Sequence, residues 1–177
     1  VMMRPTVLEG DEERRGAAHS GESLFSHEQL LYERGVQLLA GIDEAGVGAW
    51  AGPVVAAAVL LGPGVFIDGA GDSKSFSPRR RQELAALIRH HALGFAIGMA
   101  DVAEIEASHI GRASLVAMER AVRDLSRRPE HLLVDYGQLR LGIPCSAFVK
   151  GDARIHAIGC ASILAKTARD QMMVEAD

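Results

Sequence analysis

The stretch GIDEAGVGAWAGPVVAAAVLL, residues 41–61, constrains the fold more than any other part of this 177-residue chain. An apolar run, Leu38–Asp43, leads into it and ends in an acid. A longer run, Pro53–Leu61, is an unbroken series of valine, alanine and leucine after its proline, the composition of a strand covered on both faces. The bend between them carries Gly46, Gly48 and Gly52 and is too short for a parallel crossover, so the spacing predicts an antiparallel hairpin. The first strand delivers two adjacent carboxylates, Asp43 and Glu44, into that bend. Neighbouring acids destabilise each other's charged forms unless something positive lies close.

The rest of the chain supplies layers for such a hairpin. Apolar residues make up 48% of the sequence and aromatics only 5%, which fits an aliphatic α/β core. Residues 1–22 are polar and aperiodic and are expected to form a disordered tail, leaving residues 23–177 as one domain. Ser26 and Gln29 suggest a capping box opening a helix near 27–35. Ser77 followed by Pro78 predicts a helix start, with the helix running to His91. Leu93–Ala100 reads as a third strand. Arg112–Ser126 reads as an amphipathic helix with Leu115, Met118, Val122 and Leu125 on one face, ended by Pro129. His131–Asp135 is a fourth strand ending in an acid, Ala147–Lys150 a short fifth. From Ala153 onward the chain predicts a helix apolar nearly all round, hence buried.

Cys145 and Cys160 form no CxxC pair and are expected to be reduced. No window approaches a membrane span, and the N-terminal residues lack the apolar core of a signal peptide, so a cytoplasmic protein is expected. The net charge of −4 does not exclude an anionic polymer as substrate. Five acids against three bases lie in residues 1–22, and four more acids are candidate ligands.

Those four are Asp43, Glu44, Asp135 and Asp170. Strand ends collect functional groups because side chains there reach a crevice from a rigid backbone. Asp170 lies on the apolar last helix, and with Lys166 and Ser162 it forms a single polar stripe at helical spacing. Converging carboxylates raise one another's pKa, and a divalent cation removes that conflict. All-oxygen ligation selects hard ions, Mg²⁺ or Mn²⁺, and a pair of such ions roughly 4 Å apart suits phosphoryl transfer. Taken singly, a strand-end aspartate is usually a turn or cap residue, and Lys166–Asp170 reads as an ordinary i,i+4 pair. GAGDSKS lacks the G-K-[ST] ending, after four spacers, of a phosphate loop, and EAGVGAWAG has its acids too early and no helix after it as a dinucleotide fingerprint requires. His90 and His91 compensate a helix C-terminus, and His156 reads as a core histidine.

Five collinear blocks carry a resemblance. GIDEAGVGAWAGPVVAAAVLL resembles the opening motif of ribonuclease HII. GDSKSFSPRRRQEL, ASLVAMERAV, LLVDY and KGDARIHAIGCASILAKTARDQMM are similar to that family's later blocks, in order, over about residues 27–175. The resemblance implies a ribonuclease H-like fold, a mixed five-stranded sheet flanked by helices, in a monomer. It implies metal-dependent cleavage of RNA in RNA–DNA hybrids, or cleavage 5′ to a ribonucleotide embedded in duplex DNA, leaving 3′-hydroxyl and 5′-phosphate ends. Asp43, Glu44, Asp135 and Asp170 fall to the catalytic, metal-binding carboxylates. Substrate contacts fall to Gly46, Val47, Gly48, Ser73, Lys74, Lys150 and Lys166, with Arg79 and Arg80 as further candidates for a basic groove. Two departures stand out. Val47 occupies the position of the family's arginine in G-R-G, and the family's tail with its sugar-stacking tyrosine has no counterpart before Asp177. Two other readings stay open on these residues: a weak or inactive relative that binds hybrid duplex without turnover, and a two-metal phosphoryl-transfer enzyme with a small substrate.

Overall fold

The computed structural model describes residues 25–49, 51–71 and 73–176, and the expected tail at 1–22 lies outside them. Helix α1 covers residues 25–33. Strands β1 (Leu39–Ala45) and β2 (Val54–Leu61) follow, then helix α2 (Pro78–His91) and strand β3 (Gly94–Ala100). Next come helices α3 (Val102–Ala107) and α4 (Ile110–Arg123) and strands β4 (His131–Asp135) and β5 (Cys145–Phe148). Helix α5 (His156–Ala176) completes the described chain. The strands form one sheet in the order β3-β2-β1-β4-β5. β2 pairs antiparallel with β1 and β3, whereas β1, β4 and β5 run parallel. This is the expected mixed five-stranded sheet flanked by helices, and the predicted hairpin is β1–β2.

Several boundaries moved for local reasons. β1 extends past Asp43 because Glu44 and Ala45 keep partners in Ala56 and Val55. Ser26 lies inside α1, since Phe25 is already helical and its ring packs against Tyr32 and Phe66. Ser77 caps α2 as expected, its side chain accepting from the N–H of Arg80 at 3.2 Å. The region before α4 holds a short helix that the sequence reading missed. α3 has a full capping box, Asp101 with Glu104, but buries no residue, so it lacks the apolar stripe that reveals helices. α4 stops at Arg123, with Asp124 as its C-cap, rather than running to Ser126. β5 ends at Phe148 because Lys150 takes a left-handed backbone, φ 55°. A 3-10 turn, Gly151–Ala153, then delays the start of α5 to His156.

The sheet is covered on both faces, which explains why all eight residues of β2 are buried. α4 lies on one face, against β2 and β3, while α5 lies on the other, against β1 and β2, with α2 packed outside it. Ile158, Ile163 and Leu164 of α5 are fully buried. Each such side chain contributes about 1.5–3 kcal/mol by leaving water. The helix sits so close to β1 that a Cβ on Gly41 would fall 2.1 Å from the backbone of Ala157. Among the described residues, no helix is long and apolar enough to cross a membrane.

Glu28 of α1 is fully buried, and its Oε1 accepts from the N–H of Ala157 at 2.7 Å, capping α5 from outside the helix. Burial pushes its carboxyl up to about 7. His156, a core histidine as expected, stacks on Phe66, accepts from the N–H of Ile67 at 3.0 Å and is pushed down to about 4 by burial. An acid with a raised folded pKa favours the fold while protonated. The Glu28 contribution is therefore full below about 4.5 and is lost as pH rises through about 7. His156 acts oppositely: its contribution is full above about 6.5 and is lost as pH falls toward 4. Glu28→Gln keeps the carbonyl acceptor and removes the charge. It should flatten the fall in stability between pH 5 and 8, leaving the variant about 1–3 kcal/mol more stable than wild type at pH 8 by urea titration. An unchanged pH slope would show that the buried carboxyl is not the titrating group.

Candidate metal centre

The parallel register builds the site. The last ladder pair between β1 and β4 is Ile42 with Val134, so Asp43 and Asp135 stand side by side one step further on. Adjacent strands lie about 4.8 Å apart, which places the two carboxylates within reach of one ion. A third carboxylate arrives from the turn after β5. The left-handed Lys150 and the 3-10 turn fold Asp152 back over the strand ends. The N–H of Gly151 donates to Asp135 Oδ1 at 2.7 Å. Oxygens of Asp43, Asp135 and Asp152 all lie within 4.8 Å of one another.

Asp43, Glu44 and Asp135 line a cavity of about 350 Å³ with Gly46, Val47, Gly48, Ser73, Lys74, Ser162, Lys166 and Arg169. Burial, then the charge of Glu44 and that of Asp135, holds the Asp43 carboxyl well above the usual carboxylate range; the Ser162 hydroxyl and the Glu44 N–H, 2.8 Å from Asp43 Oδ1, oppose this. Burial, followed by the charge of Asp135, pushes Glu44 up to about 7. Glu44 Oε2 is buried with no hydrogen-bond partner among the described residues. A buried acceptor without a donor costs about 1–3 kcal/mol, and a hard divalent cation would satisfy it while relieving the mutual repulsion of the acids. Asp43, Glu44, Asp135 and Asp152 therefore fit such an ion chemically.

Asp170 stands elsewhere. It lines a neighbouring cavity between α2 and α5 and takes two cations, Lys166 Nζ at 2.5 Å and Arg81 at 3.2 Å. Buried Arg81 also donates to the carbonyls of Ser73 and Phe76, at 3.1 and 2.9 Å. Asp170 thus fastens, through Arg81, the turn that presents Ser73 and Lys74. Ser73 Oγ in turn lies 2.9 Å from Ser162 Oγ. The polar stripe Ser162, Lys166, Asp170 exists as expected, but only its first two members border the carboxylate cavity. Sequence reasoning missed Asp152, although the acid lies inside the quoted KGD. A Lys-Gly pair before an aspartate, just past a strand, is a turn signal that could have pointed to it. Lys150 is exposed two residues before Asp152 and does not line the cavity. Arg79 and Arg80 are paired with Glu83 on the outer side of α2.

The glycine bend is held from α5. Buried Arg169 donates to the carbonyls of Ala51 and Pro53 at 2.8 and 3.1 Å. Gly46 (φ 109°) and Gly52 (φ 91°) leave room for that side chain: a Cβ on Gly46 would lie 2.6 Å from Arg169 Nε.

A mixed sheet of order β3-β2-β1-β4-β5 with carboxylates gathered at the ends of parallel strands defines the ribonuclease H-like class of α/β proteins. A sequence model of the family "Ribonuclease HII" matches residues 40–177. The chain is 50% identical over 157 residues to a ribonuclease HII of Moorella thermoacetica, covering 88% of this chain and 76% of that one. The ribonuclease H2 of Pyrococcus horikoshii superposes with a TM-score of 0.70 at 24% identity, over 78% of this chain and 75% of that one. The ribonuclease HII of an Archaeoglobus fulgidus PCNA complex gives 0.66 at 28% identity, over 78% and 74%. The chain belongs to the ribonuclease HII family.

Arg169→Ala should free the bend. We expect a loss of about 2–4 kcal/mol in stability, from two charge-assisted hydrogen bonds and the buried stem, with faster amide exchange at residues 46–53 than in the sheet. Uniform exchange across bend and sheet would show that Arg169 does not act on the bend.

Proposed function

We propose that this chain is a metal-dependent endonuclease that cuts the RNA strand of RNA–DNA hybrids, or cuts 5′ to a ribonucleotide embedded in duplex DNA. The observation that carries this reading is the convergence of Asp43, Asp135 and Asp152, with the unpartnered Glu44 oxygen beside them. These four carboxylates would hold Mg²⁺ or Mn²⁺, two ions in the substrate complex, and Asp152 takes the place first given to Asp170. Bound divalent ions supply an activated water and a counter-charge for the leaving oxygen.

The chain's own groups prepare the site. The N–H of Glu44 fixes one oxygen of Asp43, which Ser162 also supports, and the N–H of Gly151 fixes one oxygen of Asp135. Oriented donors of this kind reduce the reorganisation needed when charge moves during the reaction. The backbone of Gly46, Val47 and Gly48 would meet the sugar-phosphate chain, with Ser73, Lys74 and Lys166 across the cavity and Lys150 at its edge. The 2′-hydroxyl is what separates RNA from DNA at such a bend. Val47, exposed on the cavity wall, offers no cation to a phosphate, which favours a weaker preference for the junction than an arginine would give.

The test is cleavage of labelled duplex DNA containing one ribonucleotide, beside an all-RNA/DNA hybrid, with Mg²⁺, Mn²⁺ or a chelator. Cleavage that requires the ion and spares all-DNA duplex is expected. A folded protein that cuts neither substrate would leave only a binding role. Asp152→Asn should lower turnover by about 10²–10³-fold, as for loss of a group that acts on developing charge. Asp170→Asn should keep turnover within about tenfold while lowering stability by about 1–3 kcal/mol. Equal losses of turnover in both would return Asp170 to the metal centre.

A further inference from the structure

A cavity of about 420 Å³ opens between the last turn of α4, the loop after it and the β4–β5 connection, away from the carboxylates. Pro129 borders it, and the N–H of Glu130 already donates to the Leu38 carbonyl of the strand beside β4, at 2.9 Å. The extended chain from Pro129 to Asp135 spans roughly 20 Å at about 3.3 Å per residue, so the cavity and the metal centre lie at opposite ends of the sheet. Three arginines line the cavity, Arg123, Arg128 and Arg140, with apolar surface from Leu125, Leu141 and Ile143 between them. No carboxylate lines it. Glu119 meets Arg123 at 3.7 Å from within α4, and Glu130 accepts from the N–H of Gln37 at 2.8 Å. Arg128 donates to the Gly142 carbonyl at 3.2 Å and so ties the two loops together as walls. Arg140 has no hydrogen-bond or ion-pair partner among the described residues. Compensation of the α4 C-terminus accounts for Arg123, but not for a guanidinium brought to the same cavity from another loop.

We propose that this cavity docks an acidic peptide segment of a partner protein. The arginines take its carboxylates, and Leu141 and Ile143, both half-buried, take an apolar side chain between them. The lining decides the ligand class. A guanidinium pairs with a carboxylate through two parallel hydrogen bonds, and arginine is enriched among residues that anchor interfaces. A compact phosphate is favoured by the N–H groups of a helix N-terminus, whereas α4 brings its C-terminal turn here, whose carbonyls oppose a concentrated anion. The three cations stem from a helix end and two separate loops, which suits charges spaced along an extended chain. Single-stranded nucleic acid is held on aromatic platforms, and no aromatic residue lines the cavity. Because the carboxylates face the far end of the sheet, a docked partner leaves the metal centre open to a duplex.

The test uses the full chain and a fluorescein-labelled peptide, DLEELDLE, followed by anisotropy at low salt, and its outcome is independent of the nuclease reading. Saturable binding is expected. Arg140→Ala should weaken it about tenfold, the size of one lost charge-assisted pair, and Arg140→Lys, which keeps the charge without the fork, about threefold. Arg140→Ala should melt with wild type and cut hybrid as wild type does, since its side chain holds nothing in the fold. Arg127→Ala removes the same charge from a loop residue outside the cavity and should bind within about twofold of wild type. Serine in place of the peptide's leucines should weaken binding by about fivefold or more. Equal losses in Arg127→Ala and Arg140→Ala would reduce the binding to net charge and overturn the site. Displacement of the peptide by inorganic phosphate or by an RNA–DNA hybrid at matched ionic strength would give the cavity to another anion and overturn the peptide. Much tighter peptide binding after joint Glu9→Gln, Asp11→Asn, Glu12→Gln and Glu13→Gln would make the chain's own N-terminal acids the occupant and overturn a separate partner. No saturable binding to wild type below about 1 mM peptide would overturn the proposal outright.

Discussion

The contact of α5 with β1 is the constraint on which the rest of the molecule depends. It is closest at Gly41, where only the absence of a Cβ lets the helix backbone lie on the strand. From that seat α5 supplies Ser162 to Asp43, Lys166 to the cavity wall and Arg169 to the glycine bend. It also anchors Asp170 for Arg81, which secures the turn of Ser73 and Lys74. One helix thus fixes two loops around the carboxylates. A rigid element serves this purpose better than loops bracing one another, because sub-ångström errors in a metal centre are costly.

The carboxylates show why such support is needed. Asp43 and Glu44 are both held in forms their chemistry resists, mainly by burial and then by neighbouring charge. The fold tolerates this because the surrounding aliphatic layers are continuous on both faces of the sheet. The apolar core therefore offsets a locally unfavourable site, a common arrangement where function and stability conflict.

Much of this was legible in the sequence because it is local. The hairpin follows from two apolar runs and a bend too short to cross over. Ser77 and Pro78 fix the start of α2, and the three aliphatics before Asp135 fix β4. The resemblance over five collinear blocks added the mixed five-stranded sheet, and the strand order came only with the structure. What stayed hidden depends on the path of the backbone. Asp152 reaches the cluster only because Lys150 turns left-handed and Gly151 lets the chain pass over Asp135. Asp170 looked like a ligand because it shares a helical stripe with Ser162 and Lys166. A stripe of about two helical turns is long enough to span two cavities, and its far end is paired with Arg81. Glu28 reads as an ordinary polar residue of a short helix, since the amide it caps lies 129 residues away.

That long-distance cap bears on how the molecule comes into being. Glu28 leaves the ribosome before any strand of the sheet, while Ala157 and the aliphatic positions of α5 emerge after all five described strands have been made. Until then one side of the β1–β2 hairpin has no cover, and the buried acid has no amide to meet. Loop closure over such a span is entropically slow, and an uncovered aliphatic sheet is a surface to which other chains adhere. The strand-end carboxylates are thus locked in place only once α5 has been made. A nascent chain would hold the hairpin strands and two of its acids for much of its translation time before it could act on any nucleic acid.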